Sequence, residues 1–140
     1  NELNNLFLNF TLEQGDVSLS NSKILWKDDL EINMNEALLS YNDNEVILNG
    51  NLTIIANDIN NFYKSYQIKK SFRKKIEKIQ LDFAYNFDKK IFRIDNVTID
   101  NSPNTKLNKF INNYNLSEQK LLNKIILKNF INNFFEAYSG

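Results

Sequence analysis

Between Ile79 and Asp88 the chain alternates without a fault. Ile79, Leu81, Phe83, Tyr85 and Phe87 are apolar, and Gln80, Asp82, Ala84, Asn86 and Asp88 between them are polar or small. Successive side chains of a strand point to opposite faces, so this period of two describes a strand with one greasy face and one wet face. Such a strand cannot stand alone and needs neighbours. Asp88-Lys89-Lys90 supplies a turn into Phe92 and Ile94, then Val97 and Ile99. The phase slips by one residue around Asp95-Asn96, which predicts a bulge in the returning strand.

The first half of the chain offers more strands. Leu6, Leu8, Phe10 and Leu12 alternate ahead of a Gly15-Asp16 turn, and Val17 to Leu19 runs on towards Ile24, Leu25 and Trp26. Leu30, Ile32 and Met34 alternate with Glu31, Asn33 and Asn35. After the polar turn 41–45, Val46, Leu48, Gly50, Leu52 and Ile54 share one face, with Asn49, Asn51 and Thr53 on the other. Strands joined by short turns make an antiparallel meander.

Helical spacing begins at Asp58, a residue suited to cap a helix N-terminus. Ile59, Phe62, Tyr63 and Tyr66 lie on one face, but Ile68, Phe72, Ile76 and Ile79 fall nearly opposite. A kink, a break or a change of burial partner is therefore expected near Gln67. Beyond Pro103, Leu107, Phe110, Ile111 and Tyr114 are spaced as a helix. From Leu121 to Tyr138 apolar residues nearly encircle the axis. The expected fold class is α+β: an antiparallel, mostly meandering sheet with a kinked central helix and C-terminal helices packed on one face or end. One domain over 1–140 is expected, with strands in about 5–56, a helix in about 58–77, a hairpin in about 79–100, and helices in about 105–115 and 118–138. The first residue is Asn, so a processed product or a piece of a longer protein is expected.

Composition excludes much chemistry. The 140 residues contain no His and no Cys, which removes thiol nucleophiles, His-based acid–base catalysis, disulfides and the usual zinc sites. Only Gly15, Gly50 and Gly140 are glycines, too few for a phosphate-cradling loop. Carboxylates remain. Asp28, Asp29 and Glu31 beside Trp26 could suggest a glycosidase-like pair, but neighbouring acids on a strand point to opposite faces and Asp28-Asp29 reads equally well as a turn. Asp43-Asn44-Glu45 lacks the glycine and terminal glutamate of a calcium loop and reads as a hairpin tip. No enzyme, metal or cofactor is expected. The abundance of Asn, Ile and Lys fits A/T-rich codons, and the Asn-x-Ser/Thr matches follow from that abundance.

The net charge of zero hides a division. Residues 1–58 hold ten acids against Lys23 and Lys27, whereas residues 59–140 hold fifteen bases and seven acids. The basic run 64–78, interleaved with aromatic residues, reads as a solvated helix face, a helix at a lipid interface, or a nucleic-acid surface. The apolar strand faces read either as a closed core or as a trough left open for a ligand. No run is apolar for the 18 or more residues that a spanning helix needs.

The segment from Asn49-Gly50-Asn51 through Asp58-Ile59-Asn60-Asn61-Phe62-Tyr63 continues into Ile68-Lys69-Lys70, Arg73-Lys74-Lys75 and the hairpin Lys78 to Asn96. With the ending Asn108 to Tyr138, it resembles the C-terminal region of AsmA-like proteins from AT-rich alphaproteobacteria. The resemblance covers about residues 5–140. It implies a non-enzymatic periplasmic domain, tethered to the inner membrane by a segment outside this chain, in a protein of phospholipid transport and outer-membrane maintenance. Its partners would be phospholipid or a membrane surface and the remainder of its own longer chain, with no nucleic acid. On that basis Val46, Leu48, Leu52, Ile54, Leu81, Phe83 and Tyr85 would face acyl chains, and Lys69, Lys70, Arg73 and Lys74 would meet head groups or a partner. The alternatives are a structural or interaction module with a closed core, and nucleic-acid binding through the basic helix 64–78.

Overall fold

The computed structural model describes residues 3–118, 120 and 123–140. Among these, nine strands form one antiparallel sheet: β1 (Leu3–Phe7), β2 (Thr11–Glu13), β3 (Asp16–Ser18), β4 (Ser22–Trp26), β5 (Leu30–Asn42), β6 (Glu45–Ala56), β7 (Lys78–Asn86), β8 (Ile91–Ile99) and β9 (Ser102–Pro103). The order is β1-β4-β5-β6-β7-β8-β9, and the β2–β3 hairpin joins β5 alongside β4. Three helices complete the fold: α1 (Ile59–Ser65), α2 (Thr105–Ser117) and α3 (Lys124–Ser139). It is an α+β architecture, as the alternation and spacing lead one to expect.

Register explains the shared face. Ile54 pairs with Ile79, Leu52 with Leu81, Gly50 with Phe83 and Leu48 with Tyr85, so the apolar positions of β6 and β7 lie on one side. On β5, Leu30, Ile32 and Met34 oppose Ala56, Ile54 and Leu52, and a bulge after Met34 then resets the phase to bring Ala37 opposite Gly50. The expected bulge in β8 is present. Gln80 pairs with Thr98 but Asp82 with Asp95, and Asn96 takes φ +51° while its amide donates to Asp82 Oδ2 at 2.6 Å.

Turn chemistry gives part of the Asn content a structural use. Asp43-Asn44 and Asp100-Asn101 both have positive φ at the two central residues, the conformation whose twist suits a two-residue hairpin. With so few glycines, Asn and Asp occupy the left-handed positions at lowest steric cost.

The central helix departs from expectation. It stops at Ser65 and does not continue to 77. Gln67 adopts φ +56°, its N–H donates to Lys64 O at 3.1 Å, and the Ile68 N–H donates to Tyr63 O at 2.9 Å. These two bonds form a Schellman motif, sealed by the buried pair Tyr63 and Ile68. The opposed apolar faces are thus resolved by a break, followed by a single 3-10 turn over Lys70–Phe72 and extended chain at Arg73. Gln67 stands where glycine is favoured. Gln67→Gly is therefore expected to raise stability by roughly 0.5–1 kcal/mol in chemical denaturation, and a loss of stability would contradict this account of the break.

The last helix also starts later than 118. Glu118 is left-handed at φ +50°, and Asn123 caps α3 by accepting from Ile125 and Ile126 N–H. Leu121 and Leu122, expected on that helix, lie outside the described residues. α2 is held against β8 by Asn115, whose Oδ1 accepts from Ile94 N–H at 3.1 Å and whose Nδ2 donates to Ile94 O at 2.6 Å. A side-chain amide here takes the place of a neighbouring strand. α3 packs across α1 through Phe135, which meets Tyr63 edge-on at 4.9 Å.

Candidate functional site

Where α3 spans the apolar face of the sheet, the two layers do not close completely. A cavity of about 220 Å³ lies between them, bounded by β4 to β8 on one side and by α1 and α3 on the other. Its floor is Leu30, Ile32, Ile54, Ala56, Ile79, Leu81 and Ile94; its roof is Leu127, Phe130, Ile131, Phe134 and Phe135. Trp26, Ile59, Phe62 and Ile76 complete it, and among the described residues no charged one lines it. It is a groove partly open at the surface and not a sealed void, so its apolar walls stand in part against solvent. A wider cleft of about 520 Å³ between α2 and α3 has a mixed lining that includes Asn113, Asn129 and Asn133.

Of the seven residues expected to face acyl chains, Ile54 and Leu81 line the cavity. Leu48, Leu52, Phe83 and Tyr85 occupy the same sheet face farther along. Phe83 stacks on Phe92 at 5.9 Å, and Tyr85 meets Phe87 edge-on at 4.8 Å, so aromatic packing fills that end. Val46 lies at the start of β6, where its N–H donates to Asp88 Oδ2. The roof could not be inferred from strand faces, because its residues belong to α3. The near-encircling apolar pattern of that segment was the signal.

The four cationic residues are elsewhere. Lys69, Lys70 and Lys74 are exposed and Arg73 is half-buried on the segment after α1, and none of them lines the cavity. Arg73 Nε donates to Ile68 O at 2.9 Å, and Lys69 Nζ stands 5.6 Å from the Phe72 ring centre. The continuous basic helix 64–78 does not form, since α1 ends at Ser65. A different set of cations adjoins the cavity. A smaller recess of about 170 Å³ is lined by Lys27, Ser65, Tyr66, Lys124, Leu127 and Lys128, and Leu127 is common to both spaces.

The acids near Trp26 are separated by the turn. Asp29 is buried, with Oδ1 accepting from Asn61 Nδ2 at 2.6 Å, whereas Glu31 accepts from Asn33 and pairs with Lys23 at 2.9 Å. The Asn33 hydrogen bond, then Lys23, holds the Glu31 carboxyl below its ordinary range. Two buried polar atoms, Trp26 Nε1 and Asp29 Oδ2, have no hydrogen-bond partner among the described residues. Among those residues no three carboxylates gather to hold a metal ion, and no helix is long and apolar enough to cross a membrane. Comparison with protein-family models, curated proteins and solved structures gives no match.

Proposed function

We propose that this is a non-enzymatic lipid-binding domain that holds an acyl segment between the sheet and α3. The observation that carries this reading is the 220 Å³ cavity with its wholly hydrocarbon and aromatic walls. Engineered cavities of about 150 Å³ with similar walls stay dry and take up benzene. Each methylene moved from water into such a space is worth about 0.8 kcal/mol, so a short stretch of chain is enough for useful affinity. The resemblance to AsmA-like proteins supplies the setting we propose for it: the periplasmic part of an inner-membrane-tethered protein in phospholipid transport and outer-membrane maintenance.

Ala56→Phe and Ile131→Trp place bulk in the cavity from opposite walls. Each ring displaces about three methylenes of ligand, which removes roughly 2–3 kcal/mol, or about 50-fold in affinity. Native mass spectrometry of the wild-type domain is expected to show bound acyl lipid, and both folded variants are expected to lack it. Lipid retained by a folded variant at wild-type level would remove the cavity as the site.

The interaction-module alternative has its own observation. Leu6, Phe7, Leu8, Phe10 and Leu12 are 45–76% exposed, on and next to the edge strand β1. Exposed apolar rows of this kind mark contact surfaces. Their replacement by Ser or Thr would abolish concentration-dependent association in that case and leave lipid content unchanged.

A further inference from the structure

We infer that a second copy of this chain pairs antiparallel with the edge formed by residues 5–13, so that two sheets join into one. This gives the interaction reading its partner, rests on that reading, and is independent of the cavity. The two edges of the sheet differ. Beyond β8 the sheet ends in Ser102 and Pro103, and proline has no N–H to offer a further strand. Asn115 takes up both backbone polar groups of Ile94 on β8. Edges closed in these ways do not recruit strands. On the other side, β1 and β2 lie end to end along β4 and β3, which both pair with β5. Among the described residues no strand pairs outside them. Residues 4–13 are all exposed and include no Lys, Arg or Pro, and their single charge is Glu13.

The occupant follows from the symmetry of the pattern. Leu6, Leu8, Phe10 and Leu12 are disposed evenly about Asn9. Antiparallel pairing centred on Asn9 sets Leu6 against Leu12 and Leu8 against Phe10, and the two-fold axis repeats both pairs. Phe7 then meets Thr11, and Glu13 meets Asn5 and never its own copy. Register aligns Leu6 with Ile24, Ile32 and Ile54, and Leu12 with Val17, Leu39 and Leu48. Both ends of the row therefore stand on the apolar face of the sheet, and pairing carries that face across from one copy to the other. The link between β1 and β2 is fastened to its own sheet, since Asn9 N–H donates to Ser22 Oγ at 2.9 Å and Asn9 Nδ2 to Ser20 O at 3.1 Å. The register irregularity of β1, between Leu3 and Asn5, falls at the limit of the paired segment. The exposed parts of Leu6, Phe7, Leu8, Phe10 and Leu12 amount to on the order of 500 Å² per copy. Two copies would bury about 1,000 Å², the lower bound for a specific interface.

Sedimentation equilibrium of the 140-residue chain is expected to pass from one chain to two, with a dissociation constant on the order of 10 µM. Phe10→Lys sets a charge opposite Leu8 of the second copy and should weaken association at least about ten-fold, from an exposed position that folding does not depend on. Asn9→Cys places two thiols together at the two-fold axis, in a chain with no other cysteine, and mild oxidation should link two copies. Thr11→Cys, opposite Phe7 and roughly 13 Å from its counterpart, should not link them. A single-chain mass at every concentration overturns the inference, and so does a Phe10→Lys variant that associates as the wild type does. Association that persists while Asn9→Cys links no better than Thr11→Cys overturns this pairing and leaves the interaction reading standing.

Discussion

Gly50→Ala is expected to destabilise the domain by more than about 4 kcal/mol, one of the largest effects a single methyl group can have. A Cβ built at Gly50 would lie 1.8 Å from Glu36 O, 2.7 Å from Glu36 C and 2.8 Å from Ala37 Cα. All three are backbone atoms, so no side chain can swing aside. The crowding originates in the β5 bulge between Met34 and Glu36, which brings that strand's main chain over the glycine. Relief requires β5 and β6 to separate at the centre of the sheet, where β7 also pairs with β6. Asn49→Ala, on the neighbouring exposed position, is the control and should change stability by less than about 0.5 kcal/mol. Urea denaturation followed by circular dichroism measures both, and a Gly50→Ala loss under 1 kcal/mol would show that the bulge can relax.

The second large effect is alkaline. Tyr63 is fully buried and donates to Lys74 O at 2.8 Å; Tyr114 is 5% exposed and donates to Phe92 O at 3.1 Å. Burial pushes both phenols up to about 12, from an ordinary value of 10. The folded state therefore keeps its protons where the unfolded chain loses them. The contribution is fully present below pH 10 and disappears as pH rises from 10 to 12. A shift of about two units corresponds to on the order of 2–3 kcal/mol per tyrosine. Stability measured between pH 9 and 12 should fall steeply, with about two protons released on alkaline unfolding, and the Tyr63→Phe, Tyr114→Phe double variant should flatten the curve. A wild-type profile as flat as that of the double variant would refute the assignment.

What could be read in advance follows the range of the interactions. The β7 alternation and the Asp95-Asn96 slip are local patterns, and local backbone geometry answers to them directly. The reversal of apolar face at Gln67 was also legible, but whether it meant a bent helix or a broken one was not. The outcome depended on Tyr63 and Ile68 being buried together, which is a property of the packed state. An isolated glycine within a strand pattern is a sign of close backbone approach, yet Gly50 could be linked to Glu36 only once the β5 bulge was known. The cavity belongs to neither kind of pattern. It lies between α3 and the sheet, where Phe135 packs on Phe62 and Tyr63 of α1. Charge misled for a similar reason: Lys27 lies in the acidic half of the chain, 97 residues before Lys124, and only the fold brings them to one recess.

The left-handed turns carry a consequence for heat tolerance. Glycine fits these positions best, and the chain has only three. Asn and Asp substitute well, but Gln14, Lys27, Gln67, Lys90 and Glu118 also sit at positive φ. At roughly 0.5–1 kcal/mol each, as at Gln67, these five together hold on the order of 2.5–5 kcal/mol that glycine would release. The scarcity of glycine thus narrows the thermal margin, and the same five positions are where a heat-resistant version of this fold would be made.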